Sequence, residues 1–341
     1  MSSHHHRLSA ARAAPSELEA VALLERVLSR GRRAPHVELG IGDDAAVLSF
    51  GATRLVWTVD ACVEGVHFDR RWLSLEDVGY RSLMAAASDL AAMGAKPVGA
   101  LAELGLPARF ARSSLAAVAR GQAAASRAIG CPVIGGNLSR SAELSVVTTV
   151  LGSASRPLRR AGARPGDELW LVGDVGKAAL GLRLLAAGRR VASALAREAV
   201  AAWRRPIARI AHGRALARVA HAGIDVSDGL AGDAGHLARE SAVRVVIDER
   251  AILGHVGEAF CRAAARAGAD PLELALSGGE DYALLATGTR RPPFARTVGR
   301  VERGDGVWLA RPSGEVTRVT RGGFDHFAGT ESPRRRRVTC S

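Results

Sequence analysis

The spacing of hydrophobic and polar positions changes repeatedly along this chain, so helices and strands are expected to alternate over its whole length. Residues 16–31 begin with Ser16 and Glu19 in the spacing of a capping box, which predicts a first helix. Two strand-like segments follow, at 36–50 and 53–68, and both are interrupted by glycine and aspartate. The pattern favours a mixed fold.

The rest of the first half continues this alternation. A helix is expected from Ser74, because its first turn is acidic and Gly94 and Pro97 mark its end, which places Asp89 in the last turns. Residues 96–107 predict a strand, and residues 112–130 predict a helix closed by Gly130. Residues 131–141 predict a strand that runs into a glycine turn, and residues 143–154 a further strand.

A turn sequence at Pro165–Asp167 precedes a new apolar strand, and we place a domain boundary near residue 153. The second half contains helical segments at 176–188 and 206–220 and an acid-rich segment at 223–241. The sequence has no repeat of fixed period. Both halves mix the two element types around Gly and Asp turns, which predicts an α+β or α/β class without fixing the topology.

The composition is that of a globular protein with a sizeable core, since the 341 residues are 48% hydrophobic and 24% charged. No run of 18 apolar residues occurs, and the first 16 residues lack the apolar segment of a signal peptide. The four cysteines are scattered without a CxxC pair, which favours reduced thiols over disulfides or a zinc site. We therefore expect a cytoplasmic protein with no membrane partner.

The net charge of +13 raises the question of nucleic-acid binding. The charge distribution argues against it, because Lys96 and Lys177 are the only lysines, the arginines are spread among alanines, and the dense run Arg334–Arg337 lies in a tail. An aromatic content of 4% also provides few surfaces on which bases could stack. No nucleic-acid partner is expected.

Common nucleotide-binding and hydrolase motifs are absent from the sequence. GDVGKAA at 173–179 has too short a loop for GxxxxGK[ST] and carries Ala178 where a hydroxyl would meet magnesium. GIGDDA at 40–45 resembles half of a dinucleotide motif, but acids stand where a pyrophosphate needs bare amides. Neither GxSxG nor HExxH occurs.

Acids recur instead at the expected ends of elements, several of them close to glycines, and they are the candidate chemistry of this chain. They are Asp43, Asp44, Asp60, Asp89, Asp225, Asp228, Glu280 and Asp281, most of them expected at strand or helix ends. Two carboxylates about 4 Å apart repel by about 4 kcal/mol at an effective dielectric of about 20, so acids that meet usually hold a cation. Asp225 and Asp228 are expected to share one face of a helical turn. Hard oxygen ligands and glycines predict a magnesium site that handles phosphates.

Structural roles are also open at several positions. Asp167 is expected to be a turn residue, and Asp233, beyond the first helical turn, is expected to be a solvated helix position. Asp89 has no capping role in an alanine-rich helix, which favours a function. For His67, a hydrogen-bonded core histidine and a functional residue are equally compatible with the sequence. Arg160 could likewise be an ordinary surface arginine.

Eight segments, taken together in order and spacing, resemble the thiamine-monophosphate kinase family. They are GIGDDAAVL, TVDACVEGVHF, AASDLAAMGAKP, VIGGNLSRS, RRAGARPGDELWLVG, GIDVSDGLAGDAGHLA, LSGGEDYALL and GFDHF. That family belongs to the ATP-binding superfamily of aminoimidazole ribonucleotide synthetase, and the resemblance covers residues 37–328. It implies a mixed α/β fold of that superfamily, a homodimer paired through the N-terminal sheets, and ATP-dependent phosphorylation of thiamine monophosphate to thiamine diphosphate.

The sequence thus divides into four parts. Residues 1–36 are an N-terminal segment with the helix that the capping box predicts, and residues 329–341 are expected to be a disordered basic tail. Between them lie an N-terminal domain at 37–152, to which the resemblance assigns the binding of ATP and Mg²⁺, and a C-terminal domain at 153–328.

The site positions of the family carry over to named residues of this chain. Its magnesium ligands correspond to Asp44, Thr58, Asp60, Asp89, Asn137, Asp225 and Asp228. Its ATP contacts correspond to Gly136, Asn137, Arg160 and Ser227, and its substrate contacts to His67, Glu280 and Phe324. Several Mg²⁺ ions would bring two phosphate groups in line for direct transfer, and because the acceptor is already an anion no general base is nominated.

Two positions depart from the family pattern. Many members carry Asp where this chain has Asn137, whose amide oxygen ligates Mg²⁺ with less charge, and Val59 replaces a hydroxyl and leaves only its backbone carbonyl. Two other functions stay open at this point. They are another ATP-dependent enzyme similar to aminoimidazole ribonucleotide synthetase, and a non-catalytic nucleotide-binding homologue.

Overall fold

The computed structural model describes three stretches of the chain, residues 16–28, 35–189 and 191–320. The chain divides into two compact units, residues 1–33 with 325–341 and residues 34–324. The described part of the first unit is helix α1 (Glu17–Leu28) and the Ser16 before it. The Ser16 backbone N–H donates to Glu19 Oε2 (2.8 Å), and Ser16 Oγ accepts from the Glu19 backbone N–H (3.4 Å). This reciprocal pair confirms the predicted capping box.

The second unit contains two mixed sheets, and the first has six strands. They are β1 (Val37–Leu39), β2 (Ala46–Phe50), β3 (Thr53–Val63), β4 (Lys96–Leu106), β5 (Val133–Arg140) and β6 (Ser145–Ala154). Their order is β1-β2-β3-β6-β4-β5, and neighbours are antiparallel except for the parallel pair β4 and β5. Strand β5 is therefore an edge of this sheet.

The second sheet has seven strands. They are β7 (Glu168–Val172), β8 (Ala222–Val226), β9 (Arg244–Asp248), β10 (Ala283–Gly288), β11 (Arg296–Glu302), β12 (Gly306–Ala310) and β13 (Val316–Arg318). Their order is β13-β12-β9-β11-β7-β10-β8. Because β7 and β8 both run antiparallel to β10, the C-terminal ends of β7 and β8 lie at the same end of the sheet as the start of β10. The candidate site is built at this end.

Eight helices accompany the sheets in the described part of this unit. They are α2 (Leu75–Ala92), α3 (Arg112–Ile129), α4 (Lys177–Ala186), α5 (Ala194–Arg204), α6 (Ile210–Leu216), α7 (Leu230–Ser241), α8 (Glu249–Arg266) and α9 (Pro271–Ser277). Helix α2 is the central one, because it contacts β3 and β6 of the first sheet and β8 and β10 of the second. It therefore connects the two sheets through side chains that face both.

Glycines allow α2 and α3 to pack at very close range. A Cβ at Gly79 would lie 2.0 Å from the Val118 carbonyl oxygen, and one at Gly121 would lie 1.9 Å from the Glu76 carbonyl oxygen. No other residue fits at these distances, because real Cβ contacts are longer than 3 Å. The two glycines thus let the backbones of α2 and α3 come into direct contact.

The predicted mixed α/β class is confirmed by the two sheets and the helices around them. The helix expected at 112–130 is present as α3, and Gly130 ends it in the left-handed conformation (φ 64°). The predicted domain boundary near residue 153 stays a prediction. Within the described part of the chain, no helix combines the length and the apolar composition that a bilayer crossing requires.

Two expectations about the first sheet are wrong. Strand β5 does not run into a glycine turn but continues through Gly135 and Gly136. A Cβ at Gly136 would lie 1.8 Å from the Ala102 carbonyl oxygen of β4, so the glycine serves close strand pairing rather than a turn. Asp60 also lies inside β3 rather than at its end.

Candidate functional site

Three carboxylates from distant parts of the chain meet between the two sheets. Asp44 lies in the loop before β2, Asp89 in the last turn of α2, and Asp225 in β8. One oxygen of each lies within 4.8 Å of the others, and Asp44 and Asp225 are 9% and 4% exposed. We call these three residues the acid cluster. Its spacing is that of side chains that share a cation.

The charges of the acid cluster are unfavourable without such a cation. Burial, together with repulsion from Asp225 and Asp43, raises the pKa of Asp44 to about 8. The positive charge of Arg160 favours the ionised carboxylate but does not offset this rise. Burial, followed by repulsion from Asp225 and Asp44, raises the pKa of Asp89 well above its ordinary value. Ionising all three groups together therefore requires a positive charge among them.

One oxygen of the acid cluster has no protein donor. Asp44 Oδ2 is buried and accepts no hydrogen bond from the described residues. Asp44 Oδ1, in contrast, accepts from Arg160 Nε (3.0 Å) and Nη2 (2.6 Å). Since a buried carboxylate oxygen without a partner is rare in proteins, Oδ2 indicates a ligand.

Hydroxyl groups orient the other two carboxylates. Thr58 Oγ1 donates to Asp89 Oδ2 (2.5 Å), and Ser88 Oγ donates to Asp225 Oδ2 (2.6 Å). Thr58 comes from β3 and Ser88 from α2, so each bond connects two elements. The sequence analysis included Thr58 and missed Ser88, although its position directly before Asp89 on a buried helix was the available signal.

Arg160 is bound by two acids. Its guanidinium pairs with Asp44, and Asp43 accepts a hydrogen bond from the Arg160 backbone N–H (3.2 Å). Burial would lower the pKa of Arg160, but Asp44, Asp43 and Asp225 together outweigh that effect and raise it. The predicted alternative of an ordinary surface arginine is therefore wrong, because the Arg160 side chain is 19% exposed and held at the acid cluster.

A second group of ionisable side chains lies beside the loop after β8. Asp228, Asp233 and His236 each offer one atom within 4.8 Å of the others. Asp233 Oδ2 accepts hydrogen bonds from the backbone N–H groups of Ser227 (3.1 Å), Asp228 (3.2 Å) and Gly229 (3.2 Å). Asp233 thus fixes the loop that carries Ser227 and Asp228.

Two predictions about this acid-rich segment are wrong. Asp233 is not a solvated helix position but is 3% exposed, because its carboxylate turns inward to the loop amides. Asp225 and Asp228 do not share a helical face, since Asp225 belongs to β8 and helix α7 begins after both, at Leu230. The two acids consequently fall into different groups.

Glu280 and Asp281 lie just before β10, beside the same loop. The Glu280 backbone N–H donates to the Ser227 carbonyl oxygen (2.6 Å), so the two segments are directly joined. Asp281 accepts from the backbone N–H groups of Gly176 (2.6 Å) and Ala178 (3.0 Å) at the start of α4. Ser227, Asp228 and Glu280 therefore lie together at one end of the second sheet.

Other predicted positions lie apart from the acid cluster within a single chain. Residues that pair across neighbouring strands share a face of the sheet. Through the pairs of β5 with β4, β4 with β6 and β6 with β3, Asn137 is on the same face as Ala61. Ala61 and Thr58 are three positions apart on β3, so they point to opposite faces. Asn137 therefore lies on the face of the first sheet opposite to Thr58. Gly136 is beside it on the exposed edge strand β5.

The remaining positions are His67, Val59, Asp60 and Phe324. His67 lies in the loop after β3 and accepts from the Val63 backbone N–H through Nδ1 (3.1 Å). Val59 is 63% exposed, on the face of β3 opposite to Thr58. Asp60 accepts a hydrogen bond from the Ala61 backbone N–H (2.7 Å). Phe324 lies outside the described residues, as does the predicted tail.

Comparison with known proteins places this fold and site in context. Residues 42–154 match the family described as AIR synthase related protein, N-terminal domain. Thiamine-monophosphate kinase of Aquifex aeolicus is 34% identical over 84% of this chain and 92% of its own length, and that of Mycobacterium tuberculosis is 35% identical over 88% and 90%. The solved structure of AaThiL complexed with AMPPCP and TMP is similar with a TM-score of 0.83 at 32% identity, over 91% of this chain and 97% of that chain.

The two mixed sheets and the acids between them thus define a protein of the AIR synthase related class. Within that class the similarity extends over nearly the full length of the relatives and exceeds 30% identity. The chain belongs to the thiamine-monophosphate kinase family, which confirms the resemblance stated from the sequence.

Proposed function

We propose that this chain transfers a phosphate group from ATP to thiamine monophosphate, forming thiamine diphosphate, with Mg²⁺ bound at the acid cluster. The family to which the chain belongs consists of kinases for this substrate, so the chain is a kinase. AaThiL, one of its relatives of known structure, was solved with AMPPCP, an ATP analogue, and TMP. The observation that carries the proposal is the meeting of Asp44, Asp89 and Asp225 within 4.8 Å.

The residues present fit a magnesium ion. The acid cluster supplies carboxylate oxygens, the hard donors that Mg²⁺ prefers, and Asp44 Oδ2 is buried without a donor from the described residues. Asp44, Asp89 and Asp225 would hold metal directly, and Asp60, Asp228, Thr58 and Asn137 are the further ligands implied by the family. Bound Mg²⁺ supplies positive charge that offsets the repulsion between the two phosphate-bearing substrates.

The side chains of the protein contribute position rather than acid or base chemistry. Arg160 is held by Asp44 and Asp43, so its guanidinium is fixed in place before an anionic ligand arrives. Asp233 orders the loop of Ser227 and Asp228 through three backbone amides. The acceptor is already ionised, so no residue has to remove a proton from it. We assign ATP contacts to Arg160, Ser227, Gly136 and Asn137, and substrate contacts to His67, Glu280 and Phe324.

We also infer a homodimer formed through the outer face of the first sheet. Trp57, Val59 and Leu101 are 49%, 63% and 44% exposed. Val59 and Leu101 both pair with Thr149 of β6, so they lie on one face, and Ile134 of the edge strand is 71% exposed. A contiguous apolar surface of this kind is typical of a protein interface. Asn137 shares this face, so a second copy would cover it.

The dimer is tested by analytical ultracentrifugation. Wild type is expected to sediment as a dimer at micromolar concentration, and the double variant Leu101→Asp, Ile134→Asp as a monomer. Ile207→Asp, which changes an exposed apolar residue outside this sheet, is the matched control and should remain dimeric. A monomeric wild type would contradict the inference.

The activity is tested by incubating the purified chain with ATP, Mg²⁺ and thiamine monophosphate and separating the products by chromatography. Thiamine diphosphate is expected, and its formation should stop when EDTA removes the metal. ATP binding without any turnover would instead support a non-catalytic homologue. Turnover of formylglycinamidine ribonucleotide alone would support an aminoimidazole ribonucleotide synthetase-like enzyme. Cytoplasmic localisation stays a prediction.

A further inference from the structure

A buried arginine lies directly beneath the carboxylate of Glu280. Arg81 of α2 is 2% exposed, and its guanidinium donates to Glu280 Oε1 and to the backbone carbonyl oxygen of Trp203. Burial would lower the pKa of Arg81, but Glu280 together with Tyr282 and Cys62 outweighs that effect and raises it. Removing an arginine from water is costly, so a chain that keeps one here depends on the Glu280 carboxylate as its partner.

The indole of Trp203 engages the other carboxylate oxygen. Trp203 Nε1–H donates to Glu280 Oε2 (2.7 Å), and the Arg81 guanidinium lies 5.4 Å from the centroid of the same indole. Trp203 is at the end of α5 and Arg81 is on α2, so donors from two separate helices reach one carboxylate. Each oxygen has thus one fixed donor and retains a second lone pair.

The backbone at Glu280 is held in an unusual conformation as well. Glu280 has φ 59° and Tyr282 has φ 49°, in the left-handed region that side-chain-bearing residues seldom adopt. Hydrogen bonds to the Ser227 and Val226 carbonyl oxygens keep both residues there. Such a conformation is unfavourable for a residue with a side chain and concentrates at functional sites. It directs the Glu280 side chain toward Arg81 and Trp203.

The Glu280 side chain nevertheless remains partly accessible, with 31% of its area exposed. Neither Arg81 nor Trp203 has a comparable exposed surface, since each is 2% exposed. A ligand therefore reaches the carboxylate but not the two residues that hold it. The arrangement is that of a contact residue supported from behind.

We propose that Trp203 and Arg81 are positioning residues that fix the Glu280 carboxylate as a rigid acceptor for an N–H donor on the heterocyclic part of the substrate. The inference rests on the proposed function, which assigns Glu280 to the thiamine monophosphate site. It adds two residues that the sequence analysis did not single out. Their effect is on recognition of thiamine monophosphate and not on ATP, since they contact neither Arg160 nor the acid cluster.

Trp203→Phe tests this proposal with a small change, because it removes the N–H donor and retains a ring beside Arg81. Initial rates are measured with thiamine monophosphate varied at saturating ATP and Mg²⁺, and then with ATP varied. The KM for thiamine monophosphate is expected to rise about tenfold, the effect of one lost hydrogen bond to a charged group. The KM for ATP and kcat should stay within twofold of wild type.

Trp72→Phe is the matched control. Trp72 makes an edge-on contact with Trp203 at 6.4 Å between centroids, so the variant alters the same aromatic pair while both donors to Glu280 stay in place. No change in either KM is expected. If both Trp variants raise the KM for thiamine monophosphate equally, packing rather than the N–H donor is responsible and the proposal is wrong.

A double-variant cycle with Glu280→Gln shows whether Trp203 acts through Glu280. Trp203→Phe should add less than twofold in the Glu280→Gln background, whereas independent effects would multiply. If Trp203→Phe does not fold, Arg81→Lys carries the same cycle, since lysine keeps the charge and loses the two-point geometry. If the wild type forms thiamine diphosphate but the variants have an unchanged KM for thiamine monophosphate, the positioning role is wrong while the proposed function stands. A wild type that forms no thiamine diphosphate contradicts the proposed function itself.

Discussion

Ser88 of α2 donates a 2.6 Å hydrogen bond to Asp225 of β8, across 137 positions of sequence. Ser88 is fully buried, and its neighbour Asp89 belongs to the acid cluster with Asp225. One helical turn thus supplies both a carboxylate to the cluster and the donor that orients another carboxylate in it. The bond also joins the helix of the first sheet to a strand of the second.

Replacing that serine should loosen the site and the fold together. Ser88→Ala is expected to lower the free energy of unfolding by about 1–3 kcal/mol, because it removes a buried hydrogen bond to a charged group, and to lower kcat. Urea unfolding in EDTA and steady-state rates measure the two effects. Ser82→Ala is the control, since Ser82 is equally buried on α2 but donates to the Gly79 carbonyl oxygen of its own helix. A Ser88→Ala variant that resembles Ser82→Ala in both assays would show that the bond to Asp225 does not matter.

Asp89→Asn should stabilise the metal-free chain and reduce the stabilisation that Mg²⁺ provides. In EDTA the variant is expected to melt at a higher temperature than wild type, because it removes one of three mutually repelling buried carboxylates. The rise in melting temperature on adding Mg²⁺ should shrink, since a metal ligand is lost. Differential scanning calorimetry in both conditions measures this. Asp174→Asn, at a half-exposed acid paired with Lys177, should leave both temperatures nearly unchanged. A lower melting temperature in EDTA would contradict the repulsion argument.

Local signals predicted the elements of the fold well. The capping box at Ser16, the acidic first turn after Ser74 and the glycine after Ile129 each mark an observed helix end. These signals depend on neighbours within four residues, which is why one sequence suffices to identify them. The glycines of β5 misled the analysis, because their role is set by the strand that lies beside them in space.

The acidic residues of the site could be predicted from the sequence, but the contacts between them and their supporting residues could not. The sequence analysis singled out a set of acids, and three of them do meet. The pairing of Arg160 with Asp44, the bond from Ser88 to Asp225 and the inward turn of Asp233 all join residues whose relation depends on the packing of α2 between the sheets. No local pattern encodes that packing, so the supporting residues of the site were missed.

Asp233 offers a test of whether this acid orders the loop or binds metal. Asp233→Asn keeps one oxygen that can accept from the amides of Ser227, Asp228 and Gly229, whereas Asp233→Ala leaves all three without a partner. The Ala variant is therefore expected to lose about 2–3 kcal/mol of stability and at least tenfold in kcat, and the Asn variant much less. Chemical denaturation and initial rates distinguish the two variants. Equal loss of activity in both, with the stability of the Asn variant intact, would indicate that the negative charge itself is needed.

Asp281 should make stability fall as the pH rises through the weakly acidic range. Burial raises the pKa of Asp281 from 3.8 to about 7 although the Ala178 and Gly176 amides oppose the rise. Between these two values the folded chain holds a proton that the unfolded chain has released, so each increase in pH favours unfolding until pH 7 is passed.

The variant Asp281→Asn has no carboxyl group at this position and so cannot titrate there. The free energy of unfolding of wild type minus that of the variant should therefore fall by roughly 3 kcal/mol between pH 5 and 8. Urea unfolding at half-unit pH intervals measures this difference. If the difference is instead flat, Asp281 is ionised throughout this range, and the two amides at the start of α4 outweigh the cost of its burial.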